Sequence, residues 1–488
     1  MAERWDAAIE AAFDAYADGL AEVIGHADRV LPLKEYCTGL LVSEGRRSVE
    51  PMAAALRPDR VAAKHQSLLH FVGQGGWSDE ALLKRVRELA LPVIERRGPV
   101  EAWIIDDTGF PKKGRHSVGV GRQYCGERGK RENCQTLVSL SVANEAASLP
   151  IAHRLFLPEN WAADMERRGK AKVPDAIMFQ SKPAIALGQM RTALADNIPK
   201  GVVLADAGYG TGAAFREGIA ALGLAYSVGI RPVVAVWRPG EAPAGPRPRK
   251  RKRGPWPKGQ GPARHPHTPV QAQDLARELP ESAWATIGWR EGTNTPLAGR
   301  FARLRLRTAP GGGEYTGDPG PEEWLLIEWP EGDEKPLRYW LSTLPPETSF
   351  TELVRLTKLR WRIERDFLDL KQECGLGHYE GRGWRGFHHH ITLCIAAYGF
   401  LLTQTGTIPP SAPRWRPPRQ EPAFSKGYRP RGTAAAPATP RSPLHRDTAR
   451  PADRRPRQTA VPMSMLQAQG RAKTVYDTVG VCLMSITR

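Results

Sequence analysis

Apolar residues recur at helical spacing through the first hundred positions. Ile9, Phe13, Tyr16 and Leu20 fall three or four apart, and the segment Ala81-Leu-Leu-Lys-Arg-Val-Arg-Glu-Leu repeats the rhythm. Gly73-Gln-Gly-Gly interrupts the two runs, and Ser78 stands where an N-cap belongs. The pattern predicts an all-α N-terminal region over 1–98. From residue 100 the rhythm shortens. Residues 100–107, 136–143 and 149–156 read as strands, 184–197 as a helix, 201–206 as a strand, 213–222 as a helix and 224–230 as a strand. That alternation predicts an α/β layer over 99–230. Between 231 and 345, strand-like pieces at 301–306, 323–329 and 338–343 are separated by Gly- and Pro-rich loops, which predicts a β-rich insertion interrupting the α/β domain. Helical spacing returns over 349–373 and 388–404, completing the core over 346–404. Beyond 405 the chain is dense in Pro, Arg and Ala, with a weak strand-like stretch only near 475–484. The tail 405–488 is expected to be disordered.

Charge sharpens this division. The 488-residue chain carries a formal net charge of +18 with a pI of about 9.8. Residues 238–268 hold nine Lys/Arg against one Glu, and residues 405–488 hold fifteen against four acids. The rest is close to neutral, so the basic charge lies in a loop of the insertion and in the tail. A polyanionic partner such as nucleic acid is the expectation. Six cysteines lie scattered at 37, 125, 134, 374, 394 and 482 without a CxxC pair, which argues against a zinc module or a disulfide framework. The charged start Met1-Ala-Glu-Arg-Trp-Asp does not resemble a signal peptide, and the apolar run 391–402 is too short to span a bilayer. A cytoplasmic location without membrane association follows as an expectation.

Asp107 and Asp206 each close an apolar strand, at the end of an α/β sheet where ligand sites gather. Acids also end strands as caps and turn residues, so the pair alone decides nothing. The helical run over 353–371 adds a third acid. Beside its apolar stripe of Leu356, Ile363, Phe367 and Leu370 stand Arg360, Glu364 and Lys371, in the order cation, anion, cation. On an ordinary surface helix such pairs are salt bridges worth roughly a few tenths of a kcal/mol.

The segment Trp361-Arg-Ile-Glu-Arg-Asp-Phe-Leu-Asp-Leu-Lys resembles the signature of insertion-sequence transposases of the DDE type, Tyr-x2-Arg-x3-Glu-x6-Lys. Arg360, Glu364 and Lys371 stand at its spacings, with Thr357 where the Tyr is expected. Ile105-Asp-Asp-Thr-Gly-Phe resembles the first acidic motif, in which the acid precedes Thr, and this selects Asp107 over Asp106. Leu204-Ala-Asp-Ala-Gly-Tyr-Gly resembles the second and selects Asp206. Together with His116-Ser-Val-Gly-Val-Gly-Arg-Gln-Tyr-Cys, Leu157-Pro-Glu-Asn-Trp and Arg385-Gly-Phe-His-His-His, the chain is most similar to the insertion sequence 701 group, over roughly residues 1–404.

The resemblance implies a ribonuclease H-like core split by a β-rich insertion, preceded by a helical DNA-binding region. It implies that Asp107, Asp206 and Glu364 are catalytic and hold two Mg²⁺ ions about 4 Å apart, with Mn²⁺ able to substitute. Arg360 and Lys371 would grip phosphates, and Trp340 resembles the tryptophan on which related enzymes stack a base. The implied partners are the terminal inverted repeats of the element and target DNA, handled by a homodimer in a bacterial, nucleoid-associated setting. Two alternatives stand beside this. One is a DNA-binding remnant that no longer cuts, because residues 405–488 do not resemble the family's usual ending. The other is an S-adenosylmethionine-dependent methyltransferase, because Val202-Val-Leu-Ala-Asp-Ala-Gly-Tyr-Gly-Thr-Gly mimics a strand and glycine loop at a helix N-terminus. The next strand ends in Arg231-Pro rather than in the acid such a site needs for the ribose.

Overall fold

A computed structural model of the chain describes residues 2–43, 45–241, 268–290, 297–309 and 320–404, with side chains from residue 8 onward. The tail 405–488 and nearly all of the basic loop 238–268, expected to be solvated and disordered, lie outside the described residues.

The strands are β1 (Ala102–Pro111), β2 (Gly121–Cys125), β3 (Lys130–Ala143), β4 (Ser148–Leu155), β5 (Val202–Ala205), β6 (Tyr226–Ile230), β7 (Ala235–Trp237), β8 (Val270–Gln271), β9 (Trp284–Arg290), β10 (Leu297–Thr308), β11 (Glu323–Glu328) and β12 (Arg338–Ser342). Among the described residues they form one mixed sheet in the order β2-β3-β1-β5-β6-β12-β11-β10-β7-β8, with β4 paired to β3 and β9 to β10. Among the described pairs, β1–β5 and β5–β6 run parallel and the others antiparallel. Both parallel pairs are buried, as the apolar runs of β5 and β6 require.

The segment 231–345 does not stand apart from the core, as a composition shift to Gly and Pro suggests. Its last strand, β12, pairs antiparallel with β6 along Tyr339↔Ile230 to Ser342↔Ser227, so the inserted strands extend the main sheet. The segment also holds a short helix, Ala272–Glu278, which buries Ala272, Leu275 and Ala276. Two turns are too few to leave a periodic signal. The helix expected over 349–373 is two helices, Phe350–Lys358 and Trp361–Gln372. Between them the amides of Arg362 and Ile363 bond three residues back, to Leu359 and Arg360, and the tightened backbone turns the second helix.

Helix Trp384–Gln404 is buried at every residue from Gly386 to Leu402. A helix apolar on all sides needs cover on all sides. The N-terminal helices Val30–Val42, Val61–Gly73 and Asp79–Glu95 pack against it, as does β4. No helix among the described residues is long and apolar enough to cross a membrane. The run His388-His-His sends its rings to three different elements, as consecutive helical positions must. His388 Nε2 accepts the Leu155 amide at 3.3 Å. His389 meets the carbonyls of Val72 and Trp77 at 3.0 and 3.1 Å. His390 Nδ1 lies 2.9 Å from the Tyr36 hydroxyl and Nε2 lies 3.1 Å from the Gly375 carbonyl. These rings join the N-terminal helices to the core.

Burial pushes the His390 imidazole down to about 4, against the bond to Gly375 that favours its charge. A histidine held neutral adds stability that is present above its unfolded pKa of about 6.5 and is lost as the pH falls towards its folded value. His390→Asn should therefore cost about 1–3 kcal/mol at pH 7. The gap between wild type and variant should narrow steadily below about pH 6.5. Urea unfolding at pH 7.5 and pH 5 measures this, and a gap that widens in acid contradicts it.

Candidate active site

Adjacent residues of a strand face opposite sides of the sheet, and this divides the two acids in the middle of β1, which runs on to Pro111 instead of closing at Asp107. Asp106 meets Arg360, at the start of helix Trp361–Gln372, whose guanidinium donates to its Oδ2 at 2.8 Å. Asp107 faces the other way. Its Oδ2 accepts from Lys182 Nζ at 2.8 Å and from the Tyr209 hydroxyl at 3.3 Å. Burial raises the Tyr209 pKa far above its ordinary value, and Asp107, Asp106 and Asp206 add to the rise, so this hydroxyl keeps its proton and donates.

Asp206 follows β5 and caps the short helix Ala207–Gly210, its Oδ1 accepting the amides of Gly208 at 2.9 Å and Tyr209 at 3.2 Å. The turn lies so tightly on β6 that a Cβ on Gly210 would come within 2.3 Å of the Gly229 carbonyl oxygen. The glycine that made this segment resemble a cofactor loop has a packing role here. Tyr209 in turn links the two motifs, with its backbone held by Asp206 and its hydroxyl on Asp107.

Glu364 lies in the first turn of helix Trp361–Gln372 with its side chain 64% exposed, and its Oε1 accepts from Arg360 at 3.1 Å. Arg360 thus bridges Asp106 and Glu364. Burial works against the guanidinium's charge, but Asp106, Asp206 and Glu364 together outweigh it and hold its pKa above the ordinary value. Burial also pushes the Asp106 carboxyl up to about 7, with Arg360 opposing the rise and Asp206 adding to it. Lys371, near the far end of the helix, donates to Glu127 in the β2–β3 turn at 2.8 Å and to the Gly109 carbonyl at 3.3 Å. Thr357, which stands at the Tyr position of the signature, is buried with its hydroxyl 2.6 Å from that of Ser227 on β6.

Asp206, Arg360 and Glu364 line a cavity of about 610 Å³ whose other wall is the inserted strands, with Trp289, Arg338 and Trp340. Trp340 is only 6% exposed and packs among Phe301, Leu326 and Leu344. It borders the cavity while serving the core of the insertion. The Lys358 ammonium lies 5.5 Å from its ring centroid and pairs with Glu328 at 2.6 Å. The Arg290 guanidinium lies 3.9 Å from the centroid of Trp361, which also lines the cavity.

The structure therefore brings Asp206, Glu364, Arg360 and Trp340 to one cavity, while Asp107 and Lys371 do not line it. Among the described residues, no three acids, histidines or cysteines are grouped closely enough to hold a metal ion, Asp107 being turned to Lys182 and Glu364 to Arg360. The donors themselves, carboxylate oxygens throughout, are the kind that Mg²⁺ takes. The sequence motifs set Asp106 aside in favour of Asp107 and give no role to Tyr209 or Lys182. The signal for Asp106 was present, since two successive acids in a strand cannot face the same way.

The family described as DDE superfamily endonuclease matches residues 19–296, more than half of the chain. The match takes in Asp106, Asp107 and Asp206 and stops before Glu364. The probable transposase for insertion sequence element IS701 of Microchaete diplosiphon is 30% identical over 167 residues, which is 34% of this chain and 40% of that relative. The match thus spans well under half of the relative's length. A cryo-EM structure of a piggyBac transposase synaptic complex with hairpin DNA shares a TM-score of 0.39 at 9% identity, covering 78% of this chain and 66% of that one. That likeness is too slight to carry weight.

Lys358 and Glu328 are 12% and 8% exposed, so removing one partner strands a charge in the cavity wall. Lys358→Met should destabilise the protein by about 3 kcal/mol, and the double variant Lys358→Met/Glu328→Gln should recover most of the loss. Urea unfolding of wild type, Lys358→Met, Glu328→Gln and the double variant gives the coupling. A double variant no more stable than the single one contradicts the reading.

Proposed function

The chain belongs to the DDE superfamily endonucleases, and from that premise we propose that it is a DNA transposase. It cuts at the terminal inverted repeats of its own insertion sequence and transfers the 3′ ends into target DNA. The observation that carries the reading is the meeting of acids from three distant segments, since Arg360 pairs with Asp106 and Glu364 beside a cavity that Asp206 also lines. A ribonuclease H-like core is supported by the strand order β4-β3-β1-β5-β6, in which β3 runs antiparallel to its neighbours and β5 and β6 run parallel to β1.

Phosphodiester transfer asks a protein chiefly for positioning and charge neutralisation. Asp107, Asp206 and Glu364 are the residues that would hold two Mg²⁺ ions, which supply an activated water or 3′-hydroxyl and stabilise the departing oxygen. Asp206 is fixed by its own helix cap, and the Tyr209 hydroxyl orients Asp107 from the same turn. Asp106 holds the Arg360 guanidinium beside Asp206 and Glu364, where its planar fork can take two phosphate oxygens. Lys371 braces the β2–β3 hairpin, whose Arg122, Arg128, Lys130 and Arg131 are exposed and can meet the DNA backbone. Two ends must be paired for transposition, so the working form is a homodimer on DNA.

On DNA carrying the element's ends, with Mg²⁺ or Mn²⁺, Asp107→Asn, Asp206→Asn and Glu364→Gln should each slow cleavage by about 10³-fold or more. Gel-shift affinity for the ends should change little. Asp106→Asn should cost only about 10–100-fold, the scale of one lost charged hydrogen bond. Tolerance of Asp107→Asn with loss of activity in Asp106→Asn would move the first ligand to Asp106. Wild type that binds ends without cutting them would make the chain a remnant.

A further inference from the structure

Lys182 is the first residue of helix Lys182–Ala195, whose N-terminus is capped by Ser181 with its Oγ accepting the Ala184 amide at 3.3 Å. A cation in the first turn meets the positive end of the helix dipole, and this helix has no acid in its first turn to offset it. Its counter-charge comes instead from β1. Lys182 Nζ lies 2.8 Å from Asp107 Oδ2, and the two side chains are 26% and 24% exposed, so solutes can reach both. The ring of Phe156, with its centroid 5.7 Å from Nζ, stands on the same side. A lysine placed against its own helix dipole and aimed at a candidate catalytic acid needs an account that helix stability does not provide.

We propose that Lys182 is a phosphate-binding residue of the cleavage site, held on Asp107 until DNA and a divalent cation arrive. The inference rests on the nuclease reading. The ammonium occupies Oδ2 and offsets the charge that Asp107 would present to a metal ion, so its departure frees that oxygen and strengthens the acid as a ligand. The exchange keeps charge balanced, because the carboxylate retains a cation and the ammonium gains a phosphate oxygen. Lysine suits such a change of partner, as a compact charge on a flexible four-carbon stem. Tyr209 donates to the same Oδ2 from a backbone fixed by Asp206, so Asp107 keeps its place while Lys182 swings.

The full-length protein is titrated with Mn²⁺ by calorimetry in the absence of DNA, and cleavage of end-bearing DNA is measured separately. Lys182→Met should bind Mn²⁺ about two- to fivefold more tightly, the factor that a partly exposed ion pair is worth. It should nevertheless cut at least about tenfold more slowly, because the phosphate contact is lost. Lys182→Arg keeps the charge and should restore Mn²⁺ affinity to near the wild-type value, which separates the effect from misfolding. Unchanged or weaker Mn²⁺ binding in Lys182→Met, in a background where Asp107→Asn does weaken it, overturns the inference alone. Wild type that binds no Mn²⁺, or binds it undiminished in Asp107→Asn, overturns the nuclease reading and this inference together.

Discussion

The parallel pairing of β1 with β5 is the constraint on which the rest of the site depends. Parallel neighbours advance in step, so a register of Ala102↔Val202 to Ile104↔Leu204 sets Asp206, just after β5, beside Asp106 and Asp107 in the middle of β1. The register is narrow because β5 enters hard against β1: a Cβ on Gly201 would come within 2.7 Å of the Ala102 backbone. The third acid arrives by a different route. Asp366, two residues beyond Glu364, accepts from Ser148 on β4 at 2.5 Å and from Tyr398 on the buried helix at 2.9 Å. These bonds fix helix Trp361–Gln372 between the sheet and the buried helix, with Arg360 reaching across to Asp106.

Four carboxylates near one another repel, and the fold answers with its own cations. Lys182 sits on Asp107, and Arg360 is shared by Asp106 and Glu364. The device recurs beside the cavity, where Lys358 at the end of helix Phe350–Lys358 offsets Glu328 on β11, close to the rings of Trp289 and Trp340. A body close to neutral can in this way present a site rich in acids, with Asp206 held by the amides of Gly208 and Tyr209 instead.

Much of this was legible in the sequence, and the rest was hidden for identifiable reasons. A strand ending at Asp206 and a helix carrying Glu364 and Lys371 with Arg360 at its start are set by local patterns of apolar residues, and the structure has both; Asp107 does not close its strand, because β1 pairs with β3 on to Pro111. The break at Leu359–Arg360 was not legible, because apolar spacing continues across it and only the backbone bonding changes. That the insertion extends the main sheet depends on β12 finding β6, a pairing over more than a hundred residues that composition cannot report. Three histidines in a row suggest metal by type, yet helical geometry points them apart and each one bonds a different segment. The division of labour between Asp106 and Asp107 was half legible: alternation separates them, but only the position of Arg360 says which faces the helix.

The central claim is that three segments distant in sequence form one cation-binding centre. Fe²⁺ can take the place of Mg²⁺ among oxygen ligands, and with ascorbate and peroxide it generates hydroxyl radicals that cut the nearest backbone. Mapping those cuts in the intact protein tests the claim most directly. The account predicts breaks clustered at residues 106–109, 206–209 and 361–365, all suppressed together by excess Mg²⁺. Cuts confined to one of these segments, or scattered without regard to Mg²⁺, would contradict it.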